Sequence, residues 1–390
     1  MRSKCIISLI FFCYLNDIKA SDTLQITHLL QRITQFQVKE NGVFPKGLFP
    51  SYRTYSLNRD RQKADINIFF TGLIVFTLEN LKDKLTPYQQ KLINDISTNA
   101  KSISVKFKNQ KGRETYNFWP TDTPKIFPNA GWLNILDKSQ SIPDDMDDTV
   151  IMLLALKKDS ITAASVHQFM QGYTNSKTKK INNTLESIKD LPAYSVWFGK
   201  KMPIDFDISV LSNVLYFVQK YNLPFTNADS ASIQLMVEVL KEKKHLSNAN
   251  FISPHYSKPQ IILYHLSRLM ALKPIPELDA YKVDLINQAT RLLQIEKEFM
   301  NQVILSSALI NWGIKPNIIT VNQTKSLQDL IEDESFSFFI ANVGFMLPKQ
   351  LKKIITASSV VKFEYYCPAY NNVLLLENLV LHANYAKGTN

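Results

Sequence analysis

Pro143-Asp144-Asp145-Met146-Asp147-Asp148-Thr149-Val150 sets four carboxylates within five residues, and the apolar run Val150-Ile151-Met152-Leu153-Leu154-Ala155-Leu156 follows at once. That run is long enough for about two helical turns. The acids therefore stand at a helix N-terminus, with Pro143 as punctuation before it. Like charges packed this closely cannot all stay ionised in a dry site, so at least one must hold a proton with altered affinity. The stretch predicts either acid chemistry or an over-capped helix, because Asp at the cap and in the first turn stabilises any helix.

The flanking segments carry the same helical character. In 258–271, Ile261, Ile262, His265, Leu266, Leu269 and Met270 recur at three- and four-residue intervals, and Pro259 suits a first turn. In 206–220, Ile208, Leu211, Leu215 and Val218 repeat the pattern. Periodicity predicts further helices near 22–37, 65–82, 86–104, 147–158, 160–173, 181–189, 229–241, 278–294, 296–311, 324–331 and 347–353. The tail differs: Phe336 to Phe345, Val360 to Tyr366 and Val373 to Leu376 read as short strands. No Gly/Ser-rich or Pro-rich linker divides the chain, and helix pairs recur about every 40 to 50 residues. This spacing predicts an all-α fold, an α/α toroid of the (α/α)6 kind, over 21–330. A small β segment would lie near the C-terminus, with 331–390 as an extension packed on the toroid.

The first twenty residues read as a cleaved signal peptide. Met1 to Lys4 is a basic head, Cys5 to Leu15 an apolar stretch too short for an ordinary membrane span, and Ile18-Lys19-Ala20 a cleavage site. A periplasmic or secreted protein beginning near Ser21 is expected. Cys5 and Cys13 leave with the signal, so Cys367 is alone and a large hydrophobic core must do what disulfides would. Lys and Arg number 45 against 34 Asp and Glu, a net charge of +11, but the basic residues are scattered. The short clusters Lys179-Lys180, Lys241 to Lys244 and Lys352-Lys353 read as solvated helix ends, or as a surface drawn to anionic lipid headgroups. No basic motif with interleaved aromatics points to nucleic acid. Only 10 glycines oppose a phosphate-loop architecture.

Asp145-Met146-Asp147-Asp148-Thr149 resembles the Asp-x-Asp-Asp-Thr signature of the class II terpene cyclases, the family that includes squalene–hopene cyclase. Gly47 to Arg53, Asn67 to Leu73, Asn117-Phe118-Trp119-Pro120, Asp207 to Leu215 and Ile252 to Ser257 resemble, in order and spacing, bacterial members of the terpenoid-cyclase and prenyltransferase toroid superfamily. The repeated Gln/Trp motifs of the triterpene cyclases are missing. The resemblance implies that the acids begin an inner helix of the toroid. Asp147 would then be the proton donor to an alkene or epoxide, with Asp145 and Asp148 setting its geometry and acidity. Such chemistry requires a carboxyl that is neutral beforehand and a conjugate base that is stabilised afterwards. Aromatic faces in a dry pocket would then stabilise a carbocation. Neither a metal nor another cofactor is implied, and the partner would be a lipophilic small molecule.

Asn213 is expected on an inner helix, and His255 in a loop facing the central cavity as a partner for Asp147, with His265 as the other candidate. Trp119, Trp132, Tyr194, Trp197 and Tyr256 are the aromatics expected to line the cavity, and Tyr52 and Arg53 are placed in a loop. Three alternatives stay open. Asp144-Asp145-Met146-Asp147-Asp148 also fits the magnesium-binding Asp-Asp-x-x-Asp motif, although no second metal motif accompanies it. An exported α/α-toroid glycosidase or lyase would use separated carboxylates. A non-catalytic toroid would bind a partner or lipid.

Overall fold

A computed structural model describes residues 21–123, 142–177, 179–199, 202–316, 319, 325–386 and 388. The expected leader at 1–20 and Trp132 lie outside the described residues. The longer elements in chain order are α1 (Ser21–Phe36), β1 (Tyr52–Tyr55), β2 (Asn58–Ala64), α2 (Phe69–Leu81), α3 (Pro87–Ser104), α4 (Met146–Ala155), α5 (Ser160–Met170), α6 (Ile208–Lys220), α7 (Asn227–Lys241), α8 (Pro259–Leu272), α9 (Lys282–Ile295), α10 (Phe299–Asn311), β3 (Phe339–Asn342), β4 (Lys362–Tyr366) and α11 (Pro368–Tyr385). Among the described residues the protein is thus rich in helix and carries one small four-stranded sheet. Among the described residues no helix is long and apolar enough to cross a membrane.

The helix starts obey local chemistry. Thr86 and Gln89 form a capping box on α3, Thr226 and Asp229 another on α7, and Pro259 and Pro368 occupy the first turns of α8 and α11. Burial then separates two kinds of helix. Along α3 the buried residues include Ile93, Ile96, Ala100 and Ile103, the stripe of a helix with one face in water. Along α4 every residue from Met146 to Ala155 is buried, and α6 is buried from Ile208 to Gln219. A helix apolar all round must be surrounded by protein. The contacts agree: α2 packs on α4, α4 on α6, α6 on α8, α8 on α10, α10 on α11, and α11 on α2, a closed order. The one-sided helices lie against members of this cycle, α3 on α2, α7 on α6, α9 on α10 and α1 on α11.

The sheet has the order β2-β1-β4-β3 and is antiparallel throughout. Tyr52 faces Ala64 on one side and Tyr366 on the other, and Phe339 faces Tyr365. β3 and β4 fall inside the two stretches expected as strands. The third expected strand, Val373 to Leu376, is instead buried helix in α11. A four-residue apolar run fits either state, and here Pro368 at the first turn and 18 residues of helix settle it. The Tyr52 and Arg53 segment is strand rather than loop. The expected helix at 181–189 is irregular, because the Asn175 amide takes its main chain: Nδ2 donates to the carbonyls of Lys189 at 2.8 Å and Leu191 at 2.9 Å, and Oδ1 accepts from the Ile181 N–H at 2.8 Å. Residues 331–390 supply β3, β4 and α11, and so take part in both the sheet and the helix cycle.

Candidate active site: a buried acid cluster on the helix cycle

α4 begins where the sequence places it. Asp145 is the N-cap, and its Oδ1 accepts the main-chain N–H of Asp148 at 2.7 Å. Asp145, Asp147 and Asp148 are nonetheless only 6%, 5% and 1% exposed, so this is no solvated cap. Asp144 is tied off separately, its Oδ2 accepting from Asn109 Nδ2 at 2.6 Å and Thr115 Oγ1 at 2.5 Å.

Asp147 is held by one donor from another helix of the cycle and one from the segment that leads into a third. Asn213 Nδ2, on α6, donates to its Oδ1 at 2.7 Å, and the hydroxyl of Tyr256, just before α8, donates to its Oδ2. Behind Asn213, Arg268 of α8 donates from Nη2 to the amide Oδ1. Burial lifts the proton affinity of Asp147 from its ordinary 3.8 to about 7, against the bonds from Tyr256 and Asn213, which favour the charge. Asp145 and Asp207 add to the rise. Burial also raises both Asp145 and Asp148. Asp148 goes well above the usual carboxylate range, through burial first and then through the neighbouring charge of Asp145 and the side-chain interaction with it, with Asp147 and Asp144 adding to the rise.

A second acid pair repeats the design one helix further on. Asp207 caps α6 through Ser209 N–H at 2.9 Å and Val210 N–H at 3.3 Å, and also accepts from Ser253 Oγ at 2.6 Å and the His255 N–H at 2.9 Å. Asp205 lies 3.4 Å from Lys352 Nζ, with both side chains 1% exposed, and 3.4 Å from His255 Nε2. The latter separation lacks hydrogen-bond alignment, and neither ring nitrogen of His255 has a hydrogen-bond partner. Burial alone would weaken proton binding by His255, but Asp205, Asp207 and Asp145 outweigh it and raise the imidazole above its ordinary value.

In front of these groups is a hollow of about 30 Å³, lined by Phe69, Phe118, Asp145, Asp147, Asp148, Val196, Trp197, Val210, His255 and Phe339. It has room for one water-sized group. Phe339 of β3 fills most of the front. Its ring centroid lies 4.9 Å from that of Phe69, 5.5 Å from Phe118, 5.6 Å from Tyr256 and 6.1 Å from His255. Phe345 closes the side by stacking on Trp197 at 5.9 Å. Asp148 Oδ1, Trp197 Nε1 and both nitrogens of His255 are buried here without hydrogen-bond partners.

The structure thus brings together Asp145, Asp147, Asp148, Trp197, Asn213, His255 and Tyr256. His255 belongs to Asp205 and Asp207 rather than to Asp147, whose partners are Asn213 and Tyr256. His265 is a core residue, its Nδ1 bonded to the Ile261 carbonyl at 2.9 Å. Trp119 does not line the hollow: its indole N–H donates to Asp65 Oδ1 at 3.1 Å, and its neighbour Phe118 takes the lining position. Tyr194 is also elsewhere, donating to Asp229 Oδ1 at 3.1 Å beside His167, where α5 meets α7. Arg53 lies over the Phe363 ring at 4.6 Å. The Lys352-Lys353 pair splits, Lys352 buried on Asp205 and Lys353 exposed. Among the described residues no three or more His, Cys, Asp or Glu are grouped to hold a metal ion.

A larger cavity, about 390 Å³, lies away from this cluster between α1, α10, α11 and the short helix Leu327–Ile331. Its walls are chiefly Leu29, Phe299, Ile331, Leu375 and Leu379, with His28 and Arg32 among the polar members, and Arg32 is paired with Glu332 at 2.8 Å. No carboxylic acid lines it, so size alone does not make it the reactive site. Sequence reasoning does not reach Asp205 or Arg268, and it takes Asp207 only as the start of an inner-helix segment and Lys352 only as a solvated helix end or lipid-facing surface. Asp205-Phe206-Asp207 before an apolar run repeats the pattern of Asp145-Met146-Asp147, and that repetition was the available signal. The chain matches no protein-family model, no curated protein and no solved structure.

Proposed function

We propose that the closed order of helix contacts is an α/α toroid and that the chain is an acid catalyst of the class II terpene-cyclase type. In this reading Asp147 protonates a carbon–carbon double bond or epoxide of a lipophilic isoprenoid. The observation that carries it is the cost of the cluster. Asp145, Asp147, Asp148, Asp205 and Asp207 are all buried beside unpartnered polar atoms. Each buried carboxylate without full compensation opposes folding by several kcal/mol. A core selected only for stability would hold apolar side chains at these positions.

The chemistry follows from the partners. Burial lifts the proton affinity of Asp147 to about 7, so a neutral acid is available near neutral pH. When its proton leaves, Asn213 and Tyr256 both donate to the carboxylate left behind. Phe69, Phe118, Trp197 and Phe339 offer ring faces to a developing cation. A substrate larger than water requires Phe339 and Phe345 to swing away, so the structure represents the closed form in this reading.

One observation favours a second reading, a non-catalytic toroid: the hollow is nearly filled. Incubation of the protein with linear polyprenes and their terminal epoxides, followed by product analysis, separates the two. Cyclised product that is lost in Asp147→Asn, while fold is retained, supports the acid. Turnover equal in wild type and Asp147→Asn removes it, and absence of turnover with every polyprene supports the non-catalytic reading.

A further inference from the structure

Arg268 is 8% exposed in the interior of the helix cycle. Its guanidinium lies over the rings of Phe76 at 5.0 Å, Tyr264 at 5.3 Å and Tyr216 at 5.8 Å, which come from α2, α8 and α6. Nη1 has no hydrogen-bond partner, and the nearby Glu377 is engaged by the Tyr264 hydroxyl at 2.6 Å. The specific polar contact of this buried cation is the bond from Nη2 to Asn213 Oδ1.

That contact removes an ambiguity in Asn213. A carboxamide can offer either its oxygen or its NH2 to a neighbour. Arginine has donors only, so the end of Asn213 that meets it must be Oδ1, and the NH2 must face Asp147. Oδ1 of Asp147 therefore meets a donor whether the acid is neutral or charged, and a proton there would point at an N–H. The geometry points to Arg268 as a positioning residue: by holding the Asn213 amide in one orientation, it confines the acid proton of Asp147 to Oδ2, the oxygen shared with Tyr256. Proton exchange is then restricted to one atom, where the Tyr256 hydroxyl accepts from the neutral acid and donates to the anion. With the amide reversed, Asp147 could place its proton on Oδ1 and donate it to Asn213, which would make it a weaker acid.

The other groups facing Asp147 are Asp145 and Asp148 at the start of its own helix, Asp207 at the start of α6, and His255 and Tyr256 ahead of α8. All remain when Arg268 is replaced. The inference rests on reading Asp147 as the acid, but its test needs no substrate, so the two fail separately. The carboxyl carbons of Asp are labelled with ¹³C in the full chain, Asp147 is assigned by its loss in Asp147→Asn, and its titration is followed. Arg268→Met should raise the midpoint by about one pH unit, a tenfold gain in proton affinity. Asn213→Leu should do likewise, and the double variant should rise no further than Asn213→Leu alone. A rise from Arg268→Met that persists in the Asn213→Leu background would assign Arg268 a long-range charge effect and overturn the inference, as would no rise in the single variant. If Arg268→Met does not fold, the wild type decides: the Asn213 side-chain NH2 resonances should shift as Asp147 titrates, and an unmoved NH2 would mean a reversed amide.

Discussion

Asn213 Nδ2 donates to Asp147 Oδ1 at 2.7 Å across 66 residues of sequence, joining the third member of the helix cycle to the second. The bond supports the ionised acid, while burial opposes it more strongly. Asp147→Asn keeps the shape and removes the proton. For the proposed reaction we expect turnover to fall by about 10²- to 10⁴-fold, the contribution of a positioned general acid. Retained product formation in the purified variant would sink the role.

The same residue predicts a pH dependence of stability. Its folded-state proton affinity is raised, from 3.8 to about 7. The favourable contribution is therefore complete below about pH 4 and is lost as pH rises through about 7. At about 1.4 kcal/mol per pH unit the loss is about 4 kcal/mol. Urea unfolding of wild type and Asp147→Asn between pH 4 and 8 checks this. The variant should lack that part of the decline, so the two curves should diverge as pH rises. Parallel curves would refute the assignment.

The acid start of α4 was legible because cap chemistry and the apolar run agree over residues 143–156, and the same agreement exposed α6 and α8. The β1–β2 hairpin was not legible. β2 reads Asn58-Arg59-Asp60-Arg61-Gln62-Lys63-Ala64, a polar string with no apolar alternation, and it is strand because Tyr52 and Arg53 pair with Ala64 and Lys63. Phe339 was seen within a strand but not as the side chain that fills the hollow, since its partners Phe69, Phe118 and Tyr256 are distant in sequence. Lys352 illustrates the same limit: a Lys-Lys pair gives no local sign that one member is buried against Asp205.

That buried pair should behave asymmetrically. Lys352→Met leaves Asp205 without its cation and should cost about 3–5 kcal/mol. Lys352→Met with Asp205→Asn should recover most of it, because both charges leave together. Denaturant midpoints of the single and double variants decide; strictly additive losses would argue against the pairing.

Phe339 should control access to the acids. Phe339→Ala ought to cost about 2 kcal/mol, less than for a fully buried ring because Phe339 is only half-buried. It should also enlarge the hollow enough to admit benzene or xenon, detectable through Trp197 fluorescence or xenon NMR. A variant that binds neither probe would show that the surrounding rings collapse into the space.

Tyr194 gives the contrasting case. Its hydroxyl serves Asp229, not the acid cluster. Tyr194→Phe should lower stability by about 1 kcal/mol and leave any turnover within twofold of wild type. A large loss of activity at unchanged stability would place Tyr194 in the site after all.

The strand order β2-β1-β4-β3 puts Tyr52 beside Tyr366. During synthesis the β1 edge of the hairpin made first therefore waits about three hundred residues for its partner β4. α11, which meets both α10 and α2, also arrives late. Such distant pairings slow folding. They also make the acid pocket a late product of assembly, because Phe339, which lines the hollow beside Asp147, is made after every helix of the cycle but α11.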